Sequence, residues 1–200
     1  MSITIFSLIV LLFSVILHEV AHGSMALRLG DSTAKYAGRL TLNPLKHIDL
    51  FGTIILPALL VLMKSPFIIG WAKPVPINPY NLRDQKWGML KVSLAGPLAN
   101  FSLAVIFGLL VRFVILPETT SVLFSLIVIY NFAWALFNLL PIPPFDGSHI
   151  LFTFLPAQFN GLKIFLHQYG LFILLALLFL DAIDYIFQGA AFLYYLLVIA

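Results

Sequence analysis

Residues 3–27 read ITIFSLIVLLFSVILHEVAHGSMAL, and this stretch decides the fold. It has no charge before Glu19 and exceeds the roughly 20 apolar residues that a helix needs to cross a bilayer. We therefore predict a first transmembrane helix here. His18 follows Ser2 by about 24 Å of helix, against a hydrocarbon core of about 30 Å. His18 is thus predicted to lie within the membrane, towards the end where the helix leaves it.

The segment His18-Glu19-Val-Ala-His22 carries the candidate chemistry. Two histidines four residues apart lie on one face of a helix and can bind a single zinc ion. A glutamate beside the first histidine can take a proton from an attacking water. The alternative is a polar cluster that only packs helices together. Ionisable residues inside a membrane are costly and usually functional, which favours the metal site.

The whole chain is strongly apolar. Its 200 residues are 62% hydrophobic and 10% charged, with a mean hydropathy of +1.05. A soluble domain is about half apolar and about a quarter charged. We predict an all-α polytopic membrane protein with about four to six transmembrane helices in a single domain over residues 1–200. The net charge of +3 gives no reason to expect nucleic acid as a partner, and the absence of cysteine excludes thiolate metal ligands.

Further elements follow from the hydropathy pattern. Transmembrane helices are predicted at 92–116 and 122–140, with a C-terminal apolar region at 169–200. Residues 51–70 are apolar but interrupted by proline, which predicts a re-entrant segment. Residues 35–43 (KYAGRLTLN) alternate between apolar and polar side chains. This alternation predicts a short membrane-associated strand or hairpin, whose edge an extended substrate could join.

The basic residues predict the orientation. Lysine and arginine cluster after the first span and again before residue 92, whereas the turn at Glu118 has neither. Cytoplasmic loops are enriched in these residues. We therefore expect a multi-pass protein with its N-terminus outside and both basic segments inside. This arrangement places His22 and Asp146 at the inward ends of their spans, at similar depth.

A catalytic zinc site needs three protein ligands and one open position. Candidates for the third ligand beside the two histidines are Asp146, Asp49, His47, His149, Asp181 and Asp184. Asp146 is favoured by its depth, and because the prolines before it and the glycine after it can turn an extended backbone back towards the site. The alternative for Pro-Phe-Asp-Gly is an ordinary turn, which these residues also favour.

Three segments together resemble the site-2 protease family of intramembrane zinc metalloproteases. They are His18-Glu-Val-Ala-His22, Gly96-Pro-Leu-Ala-Asn100 and Asn138-Leu-Leu-Pro-Ile-Pro-Pro-Phe-Asp146-Gly. The loop GWAKPVPIN at residues 70–78 resembles that of compact prokaryotic members, and the chain has no room for the PDZ or CBS domain of larger ones. The resemblance implies one Zn2+ on His18, His22 and Asp146, with Glu19 as the catalytic base, in a prokaryotic cell membrane.

The predicted function is a zinc-dependent intramembrane endopeptidase that cuts transmembrane protein substrates in or near the bilayer, that is, regulated intramembrane proteolysis. A metal transporter using the same ligands is an alternative, but it needs more ionisable residues along a pore than the spans contain. A di-iron oxygenase usually needs more than the five histidines present. An inactive scaffold is the third alternative, and the intact Glu19 argues against it.

Three asparagines are candidate substrate-binding residues: Asn78, Asn100 and Asn138. Asn138 could bind the substrate backbone or a developing oxyanion, and a helix cap is its alternative role. Asn100 lies in a stripe of small residues, spaced by four from Gly96 to Gly108, that lets a neighbouring helix approach closely. It could also hydrogen-bond near the site. The sequence leaves the oligomeric state open.

Overall fold

A computed structural model describes residues 3–64 and 70–200, and these form helices and loops without any strand. The α-helices are α1 (Ile3–Arg28), α2 (Thr33–Tyr36), α3 (Leu56–Leu62), α4 (Gly88–Phe113), α5 (Glu118–Asn138), α6 (Asp146–Phe154), α7 (Asn160–Phe179) and α8 (Ala182–Tyr194). Single π-helical turns precede α3 (Leu50–Ile55) and follow α8 (Tyr195–Ile199). The predicted all-α architecture is confirmed.

Within the described residues, five helical segments are long and apolar enough to cross a membrane. They are Ile3–Arg28, Gly88–Phe113, Glu118–Asn138, Ala157–Leu177 and Ala182–Ile199. The shortest has 18 residues, which is about 27 Å of helix. This number lies within the predicted four to six and agrees with a polytopic membrane protein.

Helices α1, α4 and α5 pack against one another, and α8 packs on α5. Small side chains such as Ala104 and Ala133 let the helices approach, and Phe132 fills the space between them. Helix α5 begins at Glu118, earlier than the predicted 122, because Pro117 precedes a first turn that carries an acidic residue. A negative charge at a helix N-terminus is favourable for the helix dipole.

Two helices, α7 and α8, form the C-terminal apolar region, and α7 begins at Asn160, before the predicted start of this region at 169. They are separated at Asp181, whose φ of +54° is left-handed. A residue in this conformation cannot continue a right-handed helix. The backbone N–H of Asp184 donates to the carbonyl of Asp181, which starts α8 directly after the break.

Residues 50–62 form one short apolar helix, which is too short to cross a bilayer. The backbone N–H of Trp71 donates to the carbonyl of Gly52 at 3.1 Å, so the chain returns to the point where this helix begins. A side chain at Gly52 would collide with the indole ring of Trp71, which explains the glycine. The two ends of the predicted re-entrant segment therefore lie together, while its residues 65–69 fall outside the described part.

The predicted strand at residues 35–43 is wrong. The segment begins in α2 and continues as turns, with the N–H of Arg39 donating to the carbonyl of Ala34. Arg39 is buried, whereas Tyr36 and Leu42 are exposed, so the polar side chain and not the apolar ones faces the interior here. The alternation arises because the Arg39 side chain turns inward to reach backbone carbonyls, and not because two faces of a sheet differ. The proposed strand edge for a substrate is absent with it.

Candidate metal centre

Three side chains from two distant segments converge. His18 and His22 lie one turn apart on α1, and Asp146 is the first residue of α6. His18 Nε2 lies 2.9 Å from His22 Nε2 and 3.0 Å from Asp146 Oδ2, and the third distance, from His22 Nε2 to Asp146 Oδ2, is 3.1 Å. Among the described residues, this is the one group of three such side chains whose ligand atoms lie close enough to share a metal ion.

The hydrogen bonds of the two imidazoles indicate which ring nitrogens carry a hydrogen and which are free to bind a cation. His22 Nδ1 lies 2.7 Å from the carbonyl of Val92, an acceptor, so Nδ1 carries the proton. His18 Nδ1 likewise donates to Asn100 Oδ1 at 2.8 Å. In neutral histidine the other nitrogen then has a free lone pair. When both rings are neutral, two such nitrogens and a carboxylate oxygen face one point without a proton between them, an arrangement that a cation stabilises.

These distances fit zinc. Zinc–nitrogen bonds of about 2.0–2.1 Å in a tetrahedral site put neighbouring ligand atoms about 3.3 Å apart. The observed triangle of 2.9–3.1 Å is close to that spacing. Two histidines and one carboxylate are also a common ligand set of catalytic zinc, which keeps a fourth position for substrate or water.

Asn100 fixes the ring of His18 through Nδ1, the nitrogen that does not face Asp146. It is fully buried on α4, and its Nδ2 donates both to the carbonyl of Ser14 and to Asn131 Oδ1. These two bonds leave Oδ1 directed at His18. Asn131 is held in turn by the carbonyl of Ile127. The amide of Asn100 thus contacts a candidate metal ligand, and Asn100 does not line the cavity beside the site.

Gly96 lets α4 approach the two histidines. A Cβ at this position would lie 2.6 Å from Cε1 of His18 and of His22, closer than real Cβ contacts come. The glycine is therefore required by the imidazoles themselves. The other members of the small-residue stripe, Asn100, Ala104 and Gly108, are buried along the same face of α4.

The backbone around Asp146 brings its carboxylate to the end of α5. Gly147 lies against the carbonyls of Leu139 and Leu140, where a side chain would collide with both. Ser148 closes the first turn of α6 by donating from its N–H and its hydroxyl to the carbonyl of Phe145. The Pro-Phe-Asp-Gly segment is therefore a helix start packed on the preceding helix, which turns Asp146 towards α1.

A cavity of about 200 Å³ lies beside the three ligands. Glu19 lines it, and Glu19 Oε2 accepts a hydrogen bond from the backbone N–H of Val75 at 2.7 Å. Asn138 also lines the cavity, while its Nδ2 donates to the carbonyl of Trp134. His149 lies one turn after Asp146 and faces the same cavity. Burial lowers the pKa of His149 and outweighs the negative charge of Asp146, which would raise it. The ring of His149 is therefore neutral at pH 7.

The loop of residues 71–80 forms one wall of the cavity through Pro74, Val75 and Ile77. Asp31 anchors the far end of this loop by accepting from the N–H of Asn78 at 2.7 Å and from the amide of Asn81 at 3.0 Å. Asn78 Oδ1 accepts from the N–H of Tyr80. The structure therefore gives the Asn78 side chain a capping contact within the loop, and Asn78 is not among the residues that line the cavity.

The remaining candidates for the third ligand lie elsewhere. Asp49 caps the helix that starts at Leu50 by accepting from the N–H of Gly52. His47 is buried and contacts the carbonyl of Thr41 through Nε2. Asp181 and Asp184 flank the break before α8. Sequence reasoning missed the backbone groups of Val75 and Val92, since a backbone N–H or carbonyl has no residue signature.

Comparison with known proteins identifies the family. The model of "Peptidase family M50" matches residues 6–120 and 115–180, which together cover most of the chain. The chain belongs to peptidase family M50. The resemblance to site-2 proteases drawn from the sequence motifs is thereby confirmed. No solved structure matches this M50 chain.

Curated relatives of this M50 chain carry matching names. It is 37% identical over 186 residues to "Putative zinc metalloprotease YwhC" of Bacillus subtilis (strain 168), covering 88% of this chain and 81% of the relative. It is 32% identical over 176 residues to "Putative zinc metalloprotease Rip2" of Mycolicibacterium smegmatis, covering 86% and 66% respectively. A third relative, "Putative zinc metalloprotease MJ0611" of Methanocaldococcus jannaschii, is 31% identical over 153 residues, covering 74% and 69%. Family and names support a zinc metalloprotease, and zinc is the metal that they imply.

Proposed function

We propose that this M50 chain is an intramembrane endopeptidase, which hydrolyses peptide bonds in or next to the transmembrane segments of membrane proteins. The observation that carries the proposal is the position of the cavity. Its metal ligands and Glu19 lie between helices that are apolar enough to span a bilayer. His18 follows the start of α1 at Ile3 by about 22 Å of helix, which supports a reaction below the membrane surface.

The residues of the cavity support a hydrolytic mechanism. When bound by His18, His22 and Asp146, zinc supplies the Lewis acid that polarises the scissile carbonyl. Glu19 accepts a proton from the water whose oxygen attacks the carbonyl carbon. It then passes this proton to the amide nitrogen as the carbon–nitrogen bond breaks, so that one acid and one amine leave. Asn138, which lines the same cavity, is our candidate for holding the substrate backbone.

The size of the cavity favours an extended substrate. An intact helix is about 10 Å across and uses its own amides for internal hydrogen bonds. One turn of such a helix, about 5.4 Å long, occupies about 400 Å³, which is more than the cavity volume of about 200 Å³. We therefore propose that a substrate segment unwinds before it reaches Glu19. Helix-breaking residues near the cleaved bond should accelerate hydrolysis.

The deciding experiment compares wild-type protein with Glu19→Gln in liposomes that contain a panel of transmembrane peptides. Mass spectrometry should detect cleavage by the wild type and none by Glu19→Gln, with zinc retained in both. Glu118→Gln is the matched control because Glu118, the second of the two glutamates, lies at the start of α5. Cleavage by Glu19→Gln would contradict the proposal. Zinc flux without cleavage, unchanged by Glu19→Gln, would indicate a transporter instead.

We also propose that the N-terminus lies outside and that the cavity opens towards the cytoplasm of a prokaryotic cell. The clusters of lysine and arginine support this orientation. The chain has no cysteine, so single cysteines can report it. Lys86→Cys and Thr119→Cys replace exposed residues on either side of α4. A membrane-impermeant thiol reagent added to whole cells should label Thr119→Cys alone, and the opposite result would reverse the orientation.

A further inference from the structure

Arg39 is a buried cation that has backbone carbonyls for partners. It is 7% exposed, and among the residues that the structure describes no carboxylate pairs with it. Its Nη2 donates to the carbonyls of Lys73 at 2.8 Å and Pro74 at 3.1 Å, and its Nη1 donates to the carbonyl of Lys46. Burying a charge without a counter-ion is costly, so a role beyond packing is indicated.

Two of the three carbonyls that Arg39 contacts, those of Lys73 and Pro74, lie directly before the group that contacts Glu19. Pro74 is followed by Val75, whose N–H donates to Glu19 Oε2 at 2.7 Å. Val75 stands between two prolines, which have no N–H and restrict the backbone on both sides. The Val75 amide is therefore the single donor that residues 74–76 can offer. The Arg39 side chain is therefore connected to Glu19 through the carbonyls of Lys73 and Pro74 and the Val75 amide.

The contacts around this connection leave the amide little freedom. The N–H of Lys73 donates to the carbonyl of His47 at 2.9 Å. The Val75 side chain packs on Gly23 of α1, where a Cβ would lie 2.7 Å from Val75 Cγ1. Arg39 thus holds the first part of the 71–80 loop, and α1 contacts the loop through the Val75 side chain. By contrast, Asp31 holds residues at the other end of this loop.

We propose that Arg39 is a positioning residue for Glu19. It fixes the carbonyls of Lys73 and Pro74, which keeps the Val75 amide on one carboxylate oxygen and leaves the other for the reacting water. A free glutamate side chain has several rotamers, and a misplacement of about 1 Å can cost about 100-fold in rate. The role in catalysis rests on the proposed peptidase function, whereas the link from Arg39 to Glu19 can be tested without it.

The first test measures hydrogen exchange of the full-length protein in detergent. Peptides spanning residues 73–77 should exchange faster in Glu19→Ala and in Arg39→Gln than in wild type, because either change releases the Val75 amide. Arg28→Gln is the matched control, since it removes the same charge from an exposed arginine, and it should leave exchange at this site unchanged. Unchanged exchange in Arg39→Gln would overturn the proposal whether or not the chain cleaves peptides.

The second test measures kinetics in the liposome assay. Arg39→Gln should lower kcat about 10-fold or more with KM within about twofold and zinc content unchanged. Val75→Pro removes the amide hydrogen directly and should lower kcat to a similar extent. Val75→Ala keeps this amide, and its kcat should be at least about fivefold higher than that of Val75→Pro. Arg39→Lys keeps the charge without the two-pronged geometry and should fall between wild type and Arg39→Gln.

The double variant separates positioning from general support of the fold. If Arg39 acts through the Val75 amide, Arg39→Gln should lower kcat by less than about twofold further once Val75→Pro is present. The proposal would be overturned if the factors by which Arg39→Gln and Val75→Pro lower kcat multiplied in the double variant. Loss of zinc in Arg39→Gln and Arg39→Lys would also overturn it. Faster exchange of the Val75 amide in a protein that cleaves nothing would contradict the peptidase function and preserve the structural link.

Discussion

Asn100 Oδ1 accepts the Nδ1 hydrogen of His18 at 2.8 Å, and this bond decides which nitrogen of His18 faces the metal position. The donors of Asn100 are both used by Ser14 and Asn131, so its amide cannot turn round without losing two bonds. Hydrogen-bond partners of this kind orient a ligand and raise its basicity. We therefore expect Asn100 to support zinc binding by orienting His18, although Asn100 is not itself in the group of candidate ligands.

We predict that Asn100→Ala weakens zinc binding about 10- to 100-fold, which is the usual effect of removing such a partner. Competition with a chromophoric chelator measures the affinity. Asn131→Ala is the matched control, because Asn131 supports Asn100 without contacting His18 and should have a smaller effect. Equal affinity in wild type and Asn100→Ala would mean that the His18 ring is held by α1 alone.

The ligand set itself predicts a contrast between two residues one turn apart on α6. Asp146→Asn should lose stoichiometric zinc, because it removes the anionic ligand from the group. His149→Gln should retain one zinc per chain, since His149 lines the cavity but lies outside that group. Metal analysis after gel filtration distinguishes the two. Zinc loss in His149→Gln together with zinc retention in Asp146→Asn would mean that His149, and not Asp146, is the third ligand.

The sequence was sufficient for features that depend on periodicity and hydropathy. A spacing of four residues on a helix places His18 and His22 on one face whatever surrounds them. The alternation of basic and apolar segments put Asp146 at the depth of these histidines, and the structure brings the three side chains together. The lengths of the apolar segments predicted the bounds of the first three spans to within four residues, whereas the fourth span begins at Ala157, before the predicted 169.

Features that depend on the direction of a single group were beyond the sequence. The stripe from Gly96 to Gly108 predicted a close helix approach, but the contact between Asn100 and His18 depends on how α4 is rotated. The inward turn of Arg39 depends on carbonyls more than thirty residues later, so local alternation favoured a strand. The Val75 amide has no signature at all, because every residue except proline has one.

Acid should loosen the 71–80 loop only below about pH 4. Burial would raise the pKa of Asp31, but hydrogen bonds from Thr33, Asn81 and Asn78 outweigh it and hold this pKa below its usual value of about 3.9. A lowered folded-state pKa gives stability that is present above the unfolded-state value and lost as pH falls through the folded-state value. The loop anchor should therefore remain intact from pH 8 to pH 5.

Thermal melting in detergent tests this dependence. Asp31→Asn should melt at a lower temperature than wild type from pH 8 to 5, and the difference should shrink below about pH 4 as wild-type Asp31 becomes protonated. Asp184→Asn is the control, because the Asp184 side chain is exposed and accepts no hydrogen bond from the described residues, so this change should have little effect on the melting temperature. A difference that stays constant down to pH 3 would show that the charge of Asp31 is not what holds the loop.

Substitutions of two glycines on α4 distinguish an effect on the metal centre from an effect on helix packing. In Gly96→Ala the new methyl group would collide with both imidazoles, whose rings are fixed by Asn100 and by the carbonyl of Val92. In Gly108→Ala the methyl group would meet the tip of the Leu197 side chain, which can change rotamer. Both changes add one methyl group to the buried face of the same helix.

We therefore expect Gly96→Ala to lose zinc and peptidase activity, with helical content preserved in circular dichroism. Gly108→Ala should keep one zinc per chain and lower the melting temperature slightly, because overpacking at a flexible contact costs about 1–3 kcal/mol. Zinc titration of both variants in detergent provides the comparison. Full zinc binding by Gly96→Ala would require α4 to lie farther from His18 and His22, and the ligand triangle would then have to be held by α1 and α6 without it.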